Sequence, residues 1–326
     1  MNTVIKARPE DFIVKEEAAV TYTARGLYSF YYLEKRGFNT VDAIREISKA
    51  TKIPSYLFSY GGKKDRHAYT RQLISIEGGR LKDISLENLS LKFCGYSDRP
   101  MGPDLIIGNH FEVTVRSLES PILNQMVKRI ELAKTQGFVN YFDDQRFGSF
   151  DQLQGFLAEK ILLGHFNGAL KIYLTSIYSG DPKAEKERRS FFHEHWKNWD
   201  ACHTRAHNAF ETFAFNELKK GEKAFITVLN KIPQEELSMY FSAYQSFLWN
   251  ETAGQLLKQL VNQNLASVKG VVGEYIFYRE LSPSILNTVK SMVIPTAAHN
   301  TRMSDPVSTK IYTKLLESRG LKSSFF

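Results

Sequence analysis

Apolar and polar positions divide the 326-residue chain into two halves of different character. In the first half, short β-prone runs alternate with turn signals. Phe12 to Lys15 predicts a short strand, and the aromatic-rich run from Leu27 to Leu33 predicts a second. Val41, Ile44, Ile47 and Ala50 then recur at helical spacing. Thr40 is the expected N-cap of that helix, Asp42 falls in its first turn, where negative charge is favoured, and Pro54 bounds its end. Leu57 to Tyr60 predicts a strand running into Gly61 and Gly62, and Thr70 to Ile76 another, closed by Gly78 and Gly79. Phe111, Val113 and Val115 alternate with polar residues, which predicts a strand with one buried face. Ile122 to Thr135 predicts a helix stopped by Gly137.

From Gln152 to Leu265 the spacing turns largely helical. Leu153, Phe156, Leu157 and Ile161 recur at helical intervals, as do Phe247, Leu248, Ala253, Leu256, Leu257 and Leu260. Gly180, Asp181 and Pro182 mark a turn before the charged run Lys183 to Arg189. The change of pattern places a boundary near residue 150 and gives two parts, 1–150 and 151–326. There is no internal repeat and no low-complexity linker.

Composition narrows the classes. Lys plus Arg number 43 against 35 Asp plus Glu, a net charge of +8. Such an excess attracts polyanions, nucleic acid first among them. No window approaches the roughly 18 apolar residues of a spanning helix, so no membrane partner is expected. Met1 to Phe12 carries charges where a signal peptide has an apolar run. Cys94 and Cys202 alone make no disulfide framework, and a reducing cytoplasm is the expected compartment.

Two segments are dense enough to carry chemistry. The first is Gly61-Gly62-Lys63-Lys64-Asp65-Arg66-His67-Ala68-Tyr69-Thr70. Its glycines let the chain turn sharply and set Asp65 at a sheet edge, and the flanking Lys64 and Arg66 favour the carboxylate anion. An ionised carboxylate can serve as nucleophile, as general base or as a plain ion-pair partner, and a solvated turn between strands accounts for the same residues. The string is not a phosphate loop, since it lacks the first glycine and the Ser or Thr after the lysine. The second segment is Asn140-Tyr141-Phe142-Asp143-Asp144-Gln145-Arg146-Phe147-Gly148. An unstacked base needs a flat apolar face and an amide for its edge, which Phe142 and Asn140 can supply; equally, these aromatics can enter a core.

Two further groups weigh less. His193, His195, Cys202, His203 and His207 lie close in sequence, but no spacing matches a standard zinc site, and no metal is assigned. Lys183, Lys186, Arg188 and Arg189 alternate with Glu185 and Glu187, a pattern that favours an exposed helix face over a phosphate-binding one.

The segment Tyr60-Gly61-Gly62-Lys63-Lys64-Asp65-Arg66-His67-Ala68-Tyr69-Thr70-Arg71-Gln72 resembles the signature of the TruD family of tRNA pseudouridine synthases. Lys6-Ala7-Arg8-Pro9-Glu10-Asp11-Phe12 is similar to that family's N-terminal motif, Gly108-Asn109-His110-Phe111 with Arg116 to its Gly-Asn-any-Phe strand, Asn140-Tyr141-Phe142 with Gln145-Arg146-Phe147-Gly148 to a later motif, and Ser242-Ala243-Tyr244-Gln245-Ser246 with Asn250 to a later helix. The motifs stand in the family's order.

The resemblance implies an α+β protein: a pseudouridine synthase core of mostly antiparallel sheet with helices, begun by 1–150, and a mainly helical TruD-specific insertion in 151–326. The two parts would flank a basic cleft for tRNA. It implies isomerisation of uridine, at tRNA position thirteen, by a monomer that needs no metal or nucleotide cofactor. Asp65 falls on the catalytic aspartate, which attacks the target uridine; Lys6 matches the lysine that braces it. Phe12 and Asn140 match residues that contact the base, Phe142 stacks on it or lines its pocket, and Lys64 joins the substrate-binding set. A free aspartate, with an ordinary pKa of about 3.9, is already anionic at neutral pH.

There are departures. Asp143 stands where the family has glycine, and the stretch from 155 to 238 is long for it. The family's closing strand is expected to be missing after Gly320-Leu321-Lys322-Ser323-Ser324-Phe325-Phe326. That motivates an alternative, a tRNA-binding or folding module without catalysis.

Overall fold

Period-two patterning builds one mixed sheet in the first part of the chain. The computed structural model describes residues 3–261, 265–299 and 301–326. The chain divides into two compact units, Met1–Lys128 and Arg129–Phe326. In the first unit run β1 (Phe12–Ala18), β2 (Tyr28–Arg36), α1 (Thr40–Thr51), β3 (Phe58–Tyr60), β4 (Tyr69–Glu77), β5 (Ile84–Leu86), β6 (Leu89–Ser97) and β7 (Ile106–Val113). The strand order is β5-β6-β2-β4-β1-β7, with β3 on the far end of β4. Pairing is antiparallel except between β1 and β4, where Ile13 to Lys15 lie parallel to Tyr69 to Arg71.

α1 closes one face of this sheet. Ala43, Ile44 and Ile47 pack with Tyr31, Leu33, Ile74, Ile76, Leu89 and Leu91. Each such Ile or Leu contributes roughly 1.5–3 kcal/mol on burial. The cap lies one residue earlier than the spacing suggests: Asn39 accepts the Asp42 N–H at 2.8 Å, and Ala50 is exposed. Thr40 is thereby released for another task described below. β7 also departs from expectation. Phe111 and Val113 are 55% and 46% exposed. β7 is the sheet's edge, paired only to β1 among the described residues, so alternation there does not mark a buried face.

α2 (Ser120–Gln136) contains the division between the units and ends where Gly137 takes a φ of +74°. The second unit is largely helical: α3 (Leu157–Leu162), α4 (Phe166–Thr175), α5 (Lys183–Glu194), α6 (Trp199–Thr204), α7 (Ala209–Leu218), α8 (Ala224–Leu229) and the 27-residue α9 (Gln234–Leu260), then the hairpin β8 (Leu265–Lys269) and β9 (Glu274–Tyr278), and finally α10 (Pro283–Ser291) and α11 (Pro306–Ser318). α4 to α8 share a core with Leu170, Ile172, Phe192, Phe215 and Val228 at its centre. α9 packs on α11 through Tyr244, Phe247, Leu248, Tyr312 and Leu316. The architecture is α+β.

Some helical expectations in this half fail for local reasons. Leu153 is 91% exposed, because Asp151 accepts the N–H groups of Leu153 and Gln154 and folds a turn before α3. The helical run stops at Leu260 and Leu265 opens a strand; residues 262–264 lie outside the described residues. The charged face of α5 is not freely exposed either. Arg188 pairs with Glu185 and Glu211, while Arg189 pairs with Glu185 and donates to the Ser176 carbonyl at 2.8 Å. Their side chains are 14% and 23% exposed, so these cations serve the fold.

Candidate active site

The strand pair β3 and β4 is joined by the Gly61–Ala68 loop, and this loop carries Asp65. A Cβ at Gly61 would come within 2.6 Å of the Ile106 side chain, which would have to shift to admit it. The Asp65 carboxylate is exposed, and its Oδ2 lies 2.9 Å from Lys6 Nζ. Lys6 Nζ also sits 3.9 Å from the centre of the Phe12 ring, which faces Phe111 at 6.0 Å. Lys6 adopts φ +59°, a left-handed conformation uncommon outside glycine. Such strain costs on the order of 1–3 kcal/mol and persists only where the surroundings enforce it. The ion pair itself is 33% and 49% exposed and is worth about 0–1 kcal/mol. It is therefore weak as a staple.

Behind Asp65 the loop is tied down at Gly62, Lys64 and Arg66. Thr40 Oγ1 accepts the Lys64 N–H at 2.8 Å and donates to Gln72 Oε1 at 2.8 Å. Gln72 Nε2 donates to the Gly62 carbonyl at 3.0 Å. Lys64 turns inward: its Nζ lies 2.7 Å from Glu16 Oε2 and 2.7 Å from Asn109 Oδ1. The Lys64 and Glu16 side chains are 10% and 0% exposed. Arg66 is drawn off to Asp42 at 2.8 Å. Just ahead of β1, Asp11 receives Arg116 at 2.6 and 2.7 Å, and that guanidinium holds the Asp11 carboxyl below the usual carboxylate range. The structure thus brings Lys6, Phe12 and Asp65 together and sets Lys64 beneath them.

Asn140 and Phe142 lie in the second unit. Asn140 is exposed and helps line an apolar cavity of about 260 Å³ with Trp249, Leu256, Tyr278 and Met292. Phe142 is half-buried, edge-on to Trp249 at 5.7 Å, with Arg146 5.5 Å from its ring centre. Asn250 pins its backbone from both sides, accepting the Phe142 N–H at 3.0 Å and donating to its carbonyl at 2.8 Å. The neighbouring aromatics do enter the core: Phe147 is 1% exposed, and the Tyr141 hydroxyl donates to the Ile276 carbonyl at 2.8 Å. Asp143 precedes the turn Asp144–Phe147 without a side-chain cap. Asp144 instead accepts the Val271 N–H and the Tyr275 hydroxyl.

The family profile described as tRNA pseudouridine synthase D (TruD) matches residues 1–324. The chain belongs to this family. As a TruD protein it is a pseudouridine synthase, an isomerase. It is 31% identical over 335 residues to a TruD relative of Methanococcus maripaludis, a match covering 98% of this chain and 83% of the relative. It is 31% identical over 305 residues to the tRNA pseudouridine synthase D of Aquifex aeolicus, covering 90% and 76%. A solved TruD structure from Methanosarcina mazei shares the fold, with a TM-score of 0.75 at 23% identity over 98% of this chain and 79% of that one.

Among the described residues no group of His, Cys, Asp and Glu is arranged to hold a metal. Cys202 is buried, which pushes its thiol up to about 11, and both cysteines are free. No helix among the described residues is long and apolar enough to cross a membrane. Residue-level reading of the chain missed Glu16, Lys35 and Trp249. Glu16 and Lys35 carry a usable signal, a charge on an inward position of a strand.

Proposed function

We propose that this TruD protein isomerises a uridine of tRNA, at position thirteen, with Asp65 as nucleophile. One observation carries the reading: an exposed carboxylate held 2.9 Å from an ammonium that itself lies 3.9 Å from the Phe12 ring centre, on a loop otherwise fixed from behind. The uridine leaves its stack at a cost of a few kcal/mol. Phe12 offers its ring to the extruded base; Asn140 and Phe142 are carried as substrate contacts by their match to the family's motif alone. Asp65 attacks the uridine, and the bond from N1 to the ribose C1′ breaks. The uracil rotates, C5 bonds to C1′ as the bond to the Asp65 carboxylate breaks, C5 loses a proton and N1 gains one. Substrate and product are isomers, so the chemistry calls for no redox partner. Lys6 holds the Asp65 carboxylate in line; Lys64 supports the loop from below. Within this reading residues 1–150 begin the catalytic core, 151–326 hold the TruD-type insertion, and the protein acts as a cytoplasmic monomer.

The test uses two tRNA transcripts, one with uridine and one with cytidine at position thirteen, and detects pseudouridine by carbodiimide mass tagging. Product is expected on the first alone and is expected to vanish with Asp65→Asn. Tight tRNA binding by the wild type without any product would favour the non-catalytic module instead.

A further inference from the structure

Lys35 lies on β2, 1% exposed, and makes no ion pair among the described residues. Taking an ammonium out of water costs several kcal/mol, and an apolar residue of similar volume would fill the same place without that cost. What the ammonium does instead is specific. Its Nζ donates to three backbone carbonyls, those of Phe38 at 2.6 Å, Asp65 at 2.8 Å and Lys64 at 3.3 Å. The Lys64 carbonyl belongs to the peptide plane before the Asp65 Cα, and the Asp65 carbonyl to the plane after it. Fixing both planes fixes the direction of the bond from Cα to Cβ, because the two planes define the backbone angles at that residue.

We propose that Lys35 is a positioning residue for Asp65, aiming the carboxylate at Lys6 and the substrate by clamping the peptides on either side of it. The proposal rests on Asp65 as the nucleophile. An ammonium has three N–H donors for three carbonyls, whereas the neutral amine has two. The clamp is therefore complete only while Lys35 is charged. Burial pushes the Lys35 pKa down to about 8, opposed by the Asp65 carboxylate and reinforced by the Lys64 ammonium. The strand neighbours in register with it, Thr70 and Leu89, bring no charge. Catalysis should thus weaken above about pH 8 as one carbonyl loses its donor.

The experiment measures kcat for pseudouridine formation and, separately, the Kd for tRNA from pH 6.5 to 9.5. Wild type is expected to show an alkaline fall in kcat near pH 8 with little change in Kd. Lys35→Arg keeps the charge, so it should retain activity and lose that fall. Lys35→Met should lose kcat by roughly 100-fold at pH 7, the scale of a misplacement of about 1 Å, with Kd preserved. A wild-type profile flat to pH 9.5, an unchanged fall in Lys35→Arg, or full kcat in folded Lys35→Met would overturn the proposal. If Lys35→Met does not fold, the wild-type and Lys35→Arg profiles decide. Failure of the underlying reading has a separate signature, wild-type activity in Asp65→Asn.

Discussion

The loop bearing Asp65 is fixed from behind by charge: Lys35 on three carbonyls and Lys64 paired with Glu16 at 2.7 Å. The segment bearing Phe142 is fixed by a neutral amide, Asn250, and by the edge of Trp249. Both devices orient a short stretch of backbone, but they meet different needs. An exposed carboxylate has to be kept in place against water, and buried cations beneath it hold the loop. An aromatic face has only to present a surface, here with Arg146 5.5 Å from its ring centre. The pair on the exposed side, Lys6 with Asp65, contributes little to stability, whereas the pair beneath it is costly to break.

That contrast can be broken in order of expected effect. Glu16→Ala leaves the Lys64 ammonium buried and unpaired, so unfolding in urea should show a loss of about 3–5 kcal/mol. A loss below about 1 kcal/mol would mean that Lys64 is not held where the contrast requires. Asn250→Leu strips both hydrogen bonds from the Phe142 backbone at a site 6% exposed. It should cost about 1–3 kcal/mol by the same assay and lower kcat. Lys6→Met should move stability by no more than about 1 kcal/mol, yet reduce kcat by roughly 100-fold. Equal loss of both would place Lys6 with the buried cations.

A further expected effect is on stability against pH. Lys35 has a folded pKa near 8, below the unfolded value of about 10.4. The folded state binds fewer protons between those values, so its contribution to stability rises with pH across that window and is lost as pH falls through about 8. The urea midpoint of wild type relative to Lys35→Met should climb from pH 8 to 10; a flat difference would show that the ammonium is not desolvated.

Much of this was legible beforehand, and the exceptions have physical causes. Core strands announced themselves as β-prone runs bounded by turn residues, and α1 through Ile44 and Ile47. The edge strand β7 did not, since Phe111 and Val113 alternate without a layer to cover them in the sheet. Asp65 was legible in its own charged segment, but Lys6 and Phe12 only as matches to a motif far from it in the chain; no local rule says that residues 6 and 65 meet. Thr40 was read as a helix cap because a threonine before a helix usually is one, but Asn39 took that place and freed Thr40 for the loop. Arg188 and Arg189 looked like a solvated face because the spacing of α5 does not reveal Glu211, which reaches Arg188 from α7, or the Ser176 carbonyl, which accepts from Arg189.

The most direct test compares Asp65→Asn with wild type in three readouts on one preparation: tagged pseudouridine in single turnover, tRNA affinity, and melting temperature. With the carboxylate as nucleophile, product falls to background while affinity and melting temperature stay near wild type, because the exposed pair with Lys6 stabilises the fold so little. Product formed at the wild-type rate by a folded Asp65→Asn would contradict the account.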